Sequence, residues 1–386
     1  MGETTEFEKL RRKKRRKKRL HRLLVAMVSL ALAAVLLLTA ATVYQLDIAT
    51  PVGNLIASLR GGDGFSVDLG DLQVSALLPM GGDAAVVAST GTYVYNRNGA
   101  LLYSFPNRYS NPVSRSSSGR LLTFDLGGND FRVDSETKNL YTGQAPGKIY
   151  AGDLAKNGRV AIASAKSGYL ACVTIYSQKF EEIYSWSARE CYVTAVALSD
   201  RGKYFCAAGL TAGTGGEPVS QLRFHTTGSD AETAVVTLGD KLILSLDWTG
   251  EDRVQVVTED TMYLYDSAGR ELACTQLPER PDSLVHFSDG GIAVAWGDYR
   301  NPSGLTVRSY NEKLEQKGEL SLTRPLISLT QSGHHLLILT EGELYLSDLF
   351  LSEAKLREQA DAVYYLCGNG NRIYSIGPQG LDRGSL

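Results

Sequence analysis

The most constraining feature of the sequence is a pair of strand-like hairpins that recurs along most of the chain. One hairpin has a Ser-, Asp- or Gly-rich turn, as in DLAKNGRVAIA (153–163) and ALSDRGKYFCA (197–207). The other alternates apolar and polar residues, as in FRVDSETKNLYT (131–142) and LYDSAGRELACT (264–275). Two hairpins per unit predict four antiparallel strands per unit.

The units recur at steps of 36 to 49 residues. A period near 40 with four strands is typical of a β-propeller, whose stacked blades bury both faces of each sheet. We therefore predict an all-β propeller of eight blades, with seven as the alternative if 73–110 or 325–360 forms no full blade. Such regular spacing disfavours a pair of β-sandwiches. First strands are expected near Gln73, Asn111, Lys148, Tyr192, Lys241, Asp282, Pro325 and Asp361.

The last unit is short and offers at most three strands, AVYYL, NRIYSI and QGLDR. The segment FSVDL (65–69) is left over before the first full unit. We expect this segment to become the outer strand of the final blade, so that the two ends of the propeller clasp each other and close the ring.

The strand pattern over residues 64–386 resembles the WD-repeat and quinoprotein-like propellers, although it lacks the Gly-His and Trp-Asp dipeptides of WD repeats and the docking motif of quinoprotein blades. With the basic tail and apolar run described next, the chain resembles a family of membrane-anchored propellers from clostridia and related Gram-positive bacteria. The resemblance implies a location at the bacterial surface and no established activity.

The N-terminus combines a basic tail with an uncharged run. Residues 1–22 hold eleven Lys and Arg and three Glu, and the run 23–46 has no charged residue. Its 24 residues are enough to cross a hydrocarbon layer of about 30 Å as a helix. We predict a cytoplasmic tail (1–22), a single-pass transmembrane helix (23–46), a juxtamembrane helix or linker (47–63) and an extracytoplasmic propeller (64–386).

The basic block orients the predicted span. It keeps the tail in the cytoplasm and rests on anionic lipid headgroups. A cleaved signal peptide with a site at 39–41 and a nucleic-acid or nuclear-localisation patch are the competing interpretations. Thr50 and Pro51 then suit the start of a helix that ends at Gly61-Gly62. The basic block consists of Arg11, Arg12, Lys13, Lys14, Arg15, Arg16, Lys17, Lys18 and Arg19.

The charge is divided unequally along the chain. The whole chain has a formal charge of −2, but the tail carries +8, which leaves −10 on residues 47–386. An acidic body repels phosphate, so we expect no nucleic-acid partner.

The sequence shows no motif for a cofactor, a metal or catalysis. It has no Cys-x-x-Cys, His-Glu-x-x-His or Gly-x-Ser-x-Gly, and the Gly-rich stretch 211–216 lacks the Lys-Ser/Thr of a phosphate loop. The nearest calcium-loop candidate, 125–130, is short of ligands. Most cysteines lie in apolar strands; a single Cys191–Cys206 or Cys172–Cys206 bridge is left open.

Surface recognition is therefore the predicted function. Loops between second and third strands, and between blades, share one rim of a propeller, where long loops such as 211–220 and 298–304 would carry a binding face. Its predicted members are Arg108, Tyr109, Trp186, Arg189, Arg280, Trp296, Asp298, Tyr299 and Arg300. The alternative is that these are ordinary loop residues, with Trp186 and Trp296 packed between blades.

We predict a non-enzymatic, membrane-anchored module that binds an envelope protein or polymer and needs no cofactor. The rival hypothesis is an enzyme acting on an envelope glycan or small metabolite in the central channel. Its candidate residues on the innermost strands are Asp153, Asp247, His286 and Arg115.

Overall fold

A computed structural model describes residues 18–19, 21–29, 49–106, 109–229, 231–297, 304–360 and 363–386. The chain divides into two units, Met1–Leu55 and Ile56–Leu386. The second unit contains eight sheets, each a meander of sequentially adjacent antiparallel strands. This confirms the predicted all-β propeller with eight blades, instead of the alternative of seven.

The first four blades follow one another along the chain, and each has four strands. Their bounds are β1 Val74–Met80, β2 Asp83–Ala88, β3 Gly91–Tyr95 and β4 Leu101–Pro106 in blade 1; β5 Pro112–Ser117, β6 Arg120–Asp125, β7 Asp130–Ser135 and β8 Asn139–Gln144 in blade 2; β9 Ile149–Leu154, β10 Val160–Lys166, β11 Tyr169–Tyr176 and β12 Glu182–Ala188 in blade 3; β13 Tyr192–Leu198, β14 Tyr204–Ala212, β15 Pro218–Thr226 and β16 Glu232–Gly239 in blade 4.

The remaining four blades repeat this order, and the last blade has three strands of its own. Their bounds are β17 Ile243–Thr249, β18 Arg253–Thr258, β19 Thr261–Asp266 and β20 Glu271–Gln276 in blade 5; β21 Ser283–His286, β22 Ile292–Trp296, β23 Leu305–Tyr310 and β24 Gln316–Leu322 in blade 6; β25 Leu326–Ser332, β26 His335–Thr340, β27 Gly342–Asp348 and β28 Ala354–Ala360 in blade 7; β29 Tyr365–Asn369, β30 Arg372–Gly377 and β31 Gly380–Ser385 in blade 8.

The hydrophobic core is divided among the seams between blades. Alternate residues of one strand face opposite neighbours, so β10 sends Ala161 and Ala163 towards blade 4 and Val160 and Ile162 towards blade 2. Eight apolar clusters result, one for each pair of neighbouring blades. The second strands are accordingly buried on both sides, as in β22, where all five residues are buried.

The ring closes where the first and last blades meet. Val67 forms an antiparallel bridge with Leu381, and each backbone N–H donates to the other's carbonyl at 2.8 Å. Ser66 Oγ adds a 2.7 Å hydrogen bond to Asp382 Oδ1. The segment 65–69 therefore takes the expected outer position beside β31, but as a single bridge instead of a full strand.

The Ser-, Asp- and Gly-rich turns between first and second strands also join neighbouring blades. Asn157 N donates to Asp200 O at 3.0 Å, and Asp200 N donates to Gly250 O at 3.0 Å, which links the turns of blades 3, 4 and 5. Ser332 Oγ donates to Gly370 O at 2.9 Å, and Arg372 Nη1 to Gly82 O at 3.0 Å, which links blades 7, 8 and 1. These turns therefore form a polar belt around one face of the disc.

The N-terminal predictions fall largely outside the described residues, including most of the basic block and of the run 23–46. Residues 21–29 are helical and exposed. Within the described part of the chain, no helix is both long and apolar enough to cross a membrane. The helix expected after Thr50 spans Ala49–Ser58.

All five cysteines are free. Neither of the two candidate disulfides is formed. Cys172, Cys191, Cys206 and Cys367 are buried and pack as small apolar side chains, whereas Cys274 is exposed.

The ring closure can be tested at Gly380, which has a φ of +111° and whose added Cβ would clash with Val67 O. We expect Gly380→Ala to reduce the free energy of unfolding by about 3 kcal/mol or more, because it combines backbone strain with a steric clash. Gly228→Ala is the control, since Gly228 has a φ of +92° and open space around its Cβ position. It should cost only about 1–2 kcal/mol. Equal losses of unfolding free energy for the two variants in denaturant titrations would show that the contact between Val67 and β31 does not stabilise the protein.

Candidate functional site

The meander topology gives the disc two different faces. The turns from first to second and from third to fourth strand lie on one face, which we call the turn face. The second-to-third turns and the connections between blades lie on the other, which we call the loop face. The described members of the predicted binding face, Tyr109, Trp186, Arg189, Arg280 and Trp296, belong to segments at the loop face or to strands ending there.

A central cavity of about 720 Å³ runs between the innermost strands. All four polar residues proposed for the channel line it, each contributed by a different blade. They are Arg115, Asp153, Asp247 and His286.

The two carboxylates in the cavity are held away from bulk water. Burial raises the pKa of Asp153 to about 6 although Leu198 N donates to its Oδ2 at 2.7 Å. Burial likewise raises the pKa of Asp247 to about 6, while Lys156 and Arg115 act to lower it. Both carboxyl groups therefore change charge near neutral pH, and the cavity carries more negative charge above pH 6 than below it.

His286 joins blades 5 and 6 through a relay that sequence reasoning did not identify. Its Nδ1 lies 2.8 Å from Gln255 Oε1, and its Nε2 lies 2.8 Å from Ser245 Oγ. The Gln255 amide nitrogen donates to the Gly290 carbonyl, so its oxygen faces the imidazole. Nδ1 is therefore the protonated nitrogen, and Nε2 accepts from Ser245. Burial lowers the pKa of His286 to about 4, so the ring is neutral at pH 7.

Four predicted members of the binding face lie outside the described residues: Arg108, Asp298, Tyr299 and Arg300. Arg189 and Arg280 are exposed in blade connections at the loop face. The Arg189 guanidinium lies 5.1 Å from the centre of the Tyr169 ring. Tyr109 is half-buried, and burial raises its pKa to about 12. Whether these residues bind a partner stays a prediction.

The two predicted tryptophans pack against protein instead of facing outward. Trp186 is half-buried, with its ring 4.4 Å from that of His225 in the next blade. Trp296 is only 5% exposed, and its indole N–H donates to Glu279 O at 3.0 Å. Their positions at the ends of strands suggested exposure, but both rings fill space that the seams would otherwise leave empty.

Six large exposed apolar side chains lie on the loop face. Four of them begin inner strands or directly precede them, and so surround the mouth of the channel. Comparably exposed residues also lie near the turn face, but none of them is on an inner strand: Phe350 lies on a turn, and Leu101, Ile183 and Leu272 begin outer strands, with 38–52% of each exposed. The loop-face residues are Leu126, Tyr192, Leu210, Leu242, Ile327 and Tyr364, with 37–58% of each side chain exposed.

The described residues contain no group of three His, Cys, Asp or Glu placed to hold a metal ion. In the calcium-loop candidate, Asp125 Oδ1 instead accepts from Asn111 N at 2.8 Å, and Asp130 Oδ1 from Gln144 Nε2 at 2.8 Å. The predicted long loop 211–220 is shorter than expected, because Thr211 pairs with Val219 and Ala212 with Pro218.

These features define the chain as a protein of the β-propeller class. The crystal structure of the C-terminal WD40 domain of Sif2 is similar, with a TM-score of 0.58 and 10% identity over 84% of this chain and 99% of that chain. A model of a family of unknown function, DUF5711, matches residues 66–382, and the chain belongs to this family.

Two further solved structures match more weakly. The mitotic checkpoint complex has a TM-score of 0.48 at 8% identity, covering 85% of this chain and 93% of that one. Kluyveromyces lactis Hsv2p has a TM-score of 0.46 at 12% identity, covering 64% and 86%. A comparison with curated proteins gives no match. The likeness to WD-repeat propellers is thus confirmed at the level of the fold, whereas a bacterial origin and a membrane anchor stay predictions.

The His286 relay predicts a loss of stability in acid. An unfolded histidine binds its proton near pH 6.5, whereas burial lowers the pKa of His286 to about 4. Stability should therefore fall as the pH drops from 6.5 towards 4. Between pH 7.5 and 4, the wild type should lose about 3 kcal/mol more than His286→Gln in denaturant titrations. Parallel pH curves for the two proteins would contradict the relay.

Asp247 predicts the opposite pH dependence. Because burial raises its pKa to about 6, its stability contribution is present below its ordinary pKa and is lost as the pH rises through 6. Between pH 4 and 8, Asp247→Asn should gain about 2 kcal/mol of stability relative to the wild type.

Asp266 provides a control of opposite sign. Burial acts to raise its pKa, but hydrogen bonds from Arg270 and Ala268 outweigh it and lower the pKa. Asp266→Asn should therefore lose stability relative to the wild type as the pH rises from about 2 to about 5, the range in which a pKa lowered from its ordinary value acts. If both variants changed stability relative to the wild type with the same sign, the raised pKa of Asp247 would be contradicted.

Proposed function

We propose that this protein is a membrane-tethered propeller that binds a protein or cell-envelope partner through its loop face, without catalysing a reaction. The observation that carries the proposal is the group of exposed apolar residues around the mouth of the channel on the loop face, where Tyr192, Leu242, Ile327 and Tyr364 begin or directly precede inner strands. Exposed apolar surface of this kind often marks the site of a partner.

The geometry of the loop face suits a preformed binding surface. Tyr192 and Leu210 lie opposite each other in neighbouring strands, so their side chains form one patch. Tyr364 and Ile327 belong to the two blades that follow blade 6, and Leu242 to blade 5. Because strands hold these positions, little conformational entropy is lost on binding.

The attachment of the N-terminal segment supports an outward orientation of this surface. The segment 57–60 meets the propeller at the turn between β3 and β4, which lies on the turn face. Asn96 Nδ2 donates to Arg60 O at 2.8 Å, and Arg97 Nε to Ser58 O at 3.1 Å. The loop face is therefore opposite the point at which the chain enters the propeller.

The proposed tether rests on the N-terminal sequence. A basic block followed by an uncharged run favours a span with its N-terminus in the cytoplasm and the propeller outside. Within the described helical stretch, Leu23, Leu24 and Met27 are 54–67% exposed, which is costly in water and favourable in lipid. Confinement near the membrane would raise the effective concentration of an envelope partner. We propose no nucleic-acid partner, because the body is acidic.

A catalytic channel is the second candidate function, supported by the four polar residues that share one cavity. The chemistry of the cavity favours binding over catalysis. Both imidazole nitrogens of His286 are already hydrogen-bonded, and its low pKa makes it a weak base. Asp247 is then the carboxylate best placed to meet a small ligand.

The binding face can be tested by replacing Tyr192, Leu242, Ile327 and Tyr364 together with serine. The matched control replaces Leu101, Ile183, Leu272 and Leu356, which are 38–52% exposed on outer strands. All eight side chains are exposed, so both variants should fold with unfolding transitions near that of the wild type. We expect proximity labelling in cells to lose its strongest partners only with the loop-face variant.

Retention of the same partners by the loop-face variant would contradict the proposed face. A loss shared by the control would do so too, because it would show a general effect of surface polarity instead of a specific interface.

A further inference from the structure

The Ala49–Ser58 helix has an exposed apolar face and a less exposed face of small and polar residues. Val52, Ile56 and Leu59 lie within one helical face and are 48–66% exposed. Ala57 and Ser58, on the other side, are half-buried. A helix that packs on a globular domain normally has the reverse arrangement, with its apolar face buried.

The C-terminal end of the helix is attached by hydrogen bonds to the turn between β3 and β4. The last carbonyls of a helix have no partners within the helix. Here the turn between β3 and β4 supplies donors: Asn96 Nδ2 donates to Ala57 O at 3.2 Å, Arg97 Nε to Ser58 O at 3.1 Å, and Asn98 Nδ2 to Arg60 O at 2.9 Å. Three side chains on one short turn thus fix the rotation of the C-terminal end about its axis.

The fixation continues into the ring closure. Gly64 N donates to Asn98 O at 3.2 Å, three residues before Val67 forms its bridge with Leu381. Arg383, in the last strand, donates to the carbonyl of Arg97. The turn that caps the helix is thus tied to both ends of the propeller chain.

From this geometry we infer that the Ala49–Ser58 helix lies in the membrane interface, with Val52, Ile56 and Leu59 in the lipid. The uncharged run that precedes it ends at Leu46, only two residues before the helix begins at Ala49. A helix this close to the end of a span must lie at the bilayer surface. This inference rests on the tether proposed above and adds a second, peripheral contact with the same membrane.

The composition of the helix fits a neutral interface better than a charged one. Its sequence ATPVGNLIAS contains no Lys, Arg, Asp or Glu. Binding should therefore depend on the buried apolar area and little on anionic lipid, unlike the basic block in the tail. With the helix bound in the membrane interface, the turn face would be directed towards the membrane and the loop face away from it.

The test places an environment-sensitive fluorophore on single cysteines in the full-length chain, reconstituted in phosphatidylcholine vesicles. Val52→Cys and Ile56→Cys report on the apolar face, and Gly53→Cys reports on the flank of the same helix. All three carry Cys274→Ser, because Cys274 is the exposed cysteine and the other four are buried. The wild type labelled at Cys274 is the aqueous reference. Nitroxide-labelled lipid is the quencher.

We expect quenching at positions 52 and 56 to be several-fold stronger than at Gly53, and to be absent at Cys274. A depth of about 5–10 Å is typical of an interfacial helix. Equal, weak quenching at positions 52, 53 and 56 in protein that floats with the vesicles would overturn the inference and leave the tether intact. Protein that fails to float would overturn the tether first. Labels that are shielded from water but not quenched by lipid would also overturn the inference, because they would indicate a protein partner on this face.

Discussion

The structure depends on burying both faces of every blade against its neighbours. A single four-stranded sheet of this chain has apolar residues on both sides, as the wholly buried strands β2 and β22 show. Such a sheet cannot be stable in water by itself, and stacking leaves two faces bare until the ring is closed. The bridge between Val67 and Leu381 is small, but it completes the eighth sheet and so protects the seam between the first and last blades.

The polar belt on the turn face complements this apolar packing. Backbone groups at the ends of inner strands would be unsatisfied in the seams, and the turns of neighbouring blades satisfy several of them directly. Trp248 shows how the two systems meet: its ring fills the seam between blades 4 and 5, while its indole N–H donates to Ala197 O at 2.9 Å. Hydrogen bonds also join blades at the loop face, where Ile149 N donates to Gly128 O at 2.6 Å and Leu326 N donates to Gly297 O at 3.0 Å.

Much of the fold could be predicted from local signals. Hairpin turns and strand alternation placed the first strands of six blades within one residue of their observed starts, which are Val74, Pro112, Ile149, Tyr192, Ser283 and Leu326. The same local signals identified the segment 65–69 as the piece that completes the last blade. Eight blades followed from counting units, because each unit of a propeller is a local structure.

The sites were harder to predict, because they depend on residues far apart in sequence. Asp153, Asp247, His286 and Arg115 were found because inner strands can be identified and their few polar residues stand out. Ser245 was missed, since its partner His286 is 41 residues away and a serine in a strand carries no signal of its own. The apolar residues of the loop face, such as Tyr192, look like core residues in a strand pattern. Trp296 was included in the predicted binding face because it lies beside a loop, but it packs between blades, as the alternative interpretation had it.

Cys274 provides the most direct test of the central claim that the propeller stands outside the membrane. It is exposed on an outer strand, whereas the other four cysteines are buried. The account predicts that a membrane-impermeant maleimide applied to intact cells labels the full-length chain, and that Cys274→Ser removes the labelling. Labelling that appears only after the cells are lysed would place the propeller on the cytoplasmic side and contradict the account.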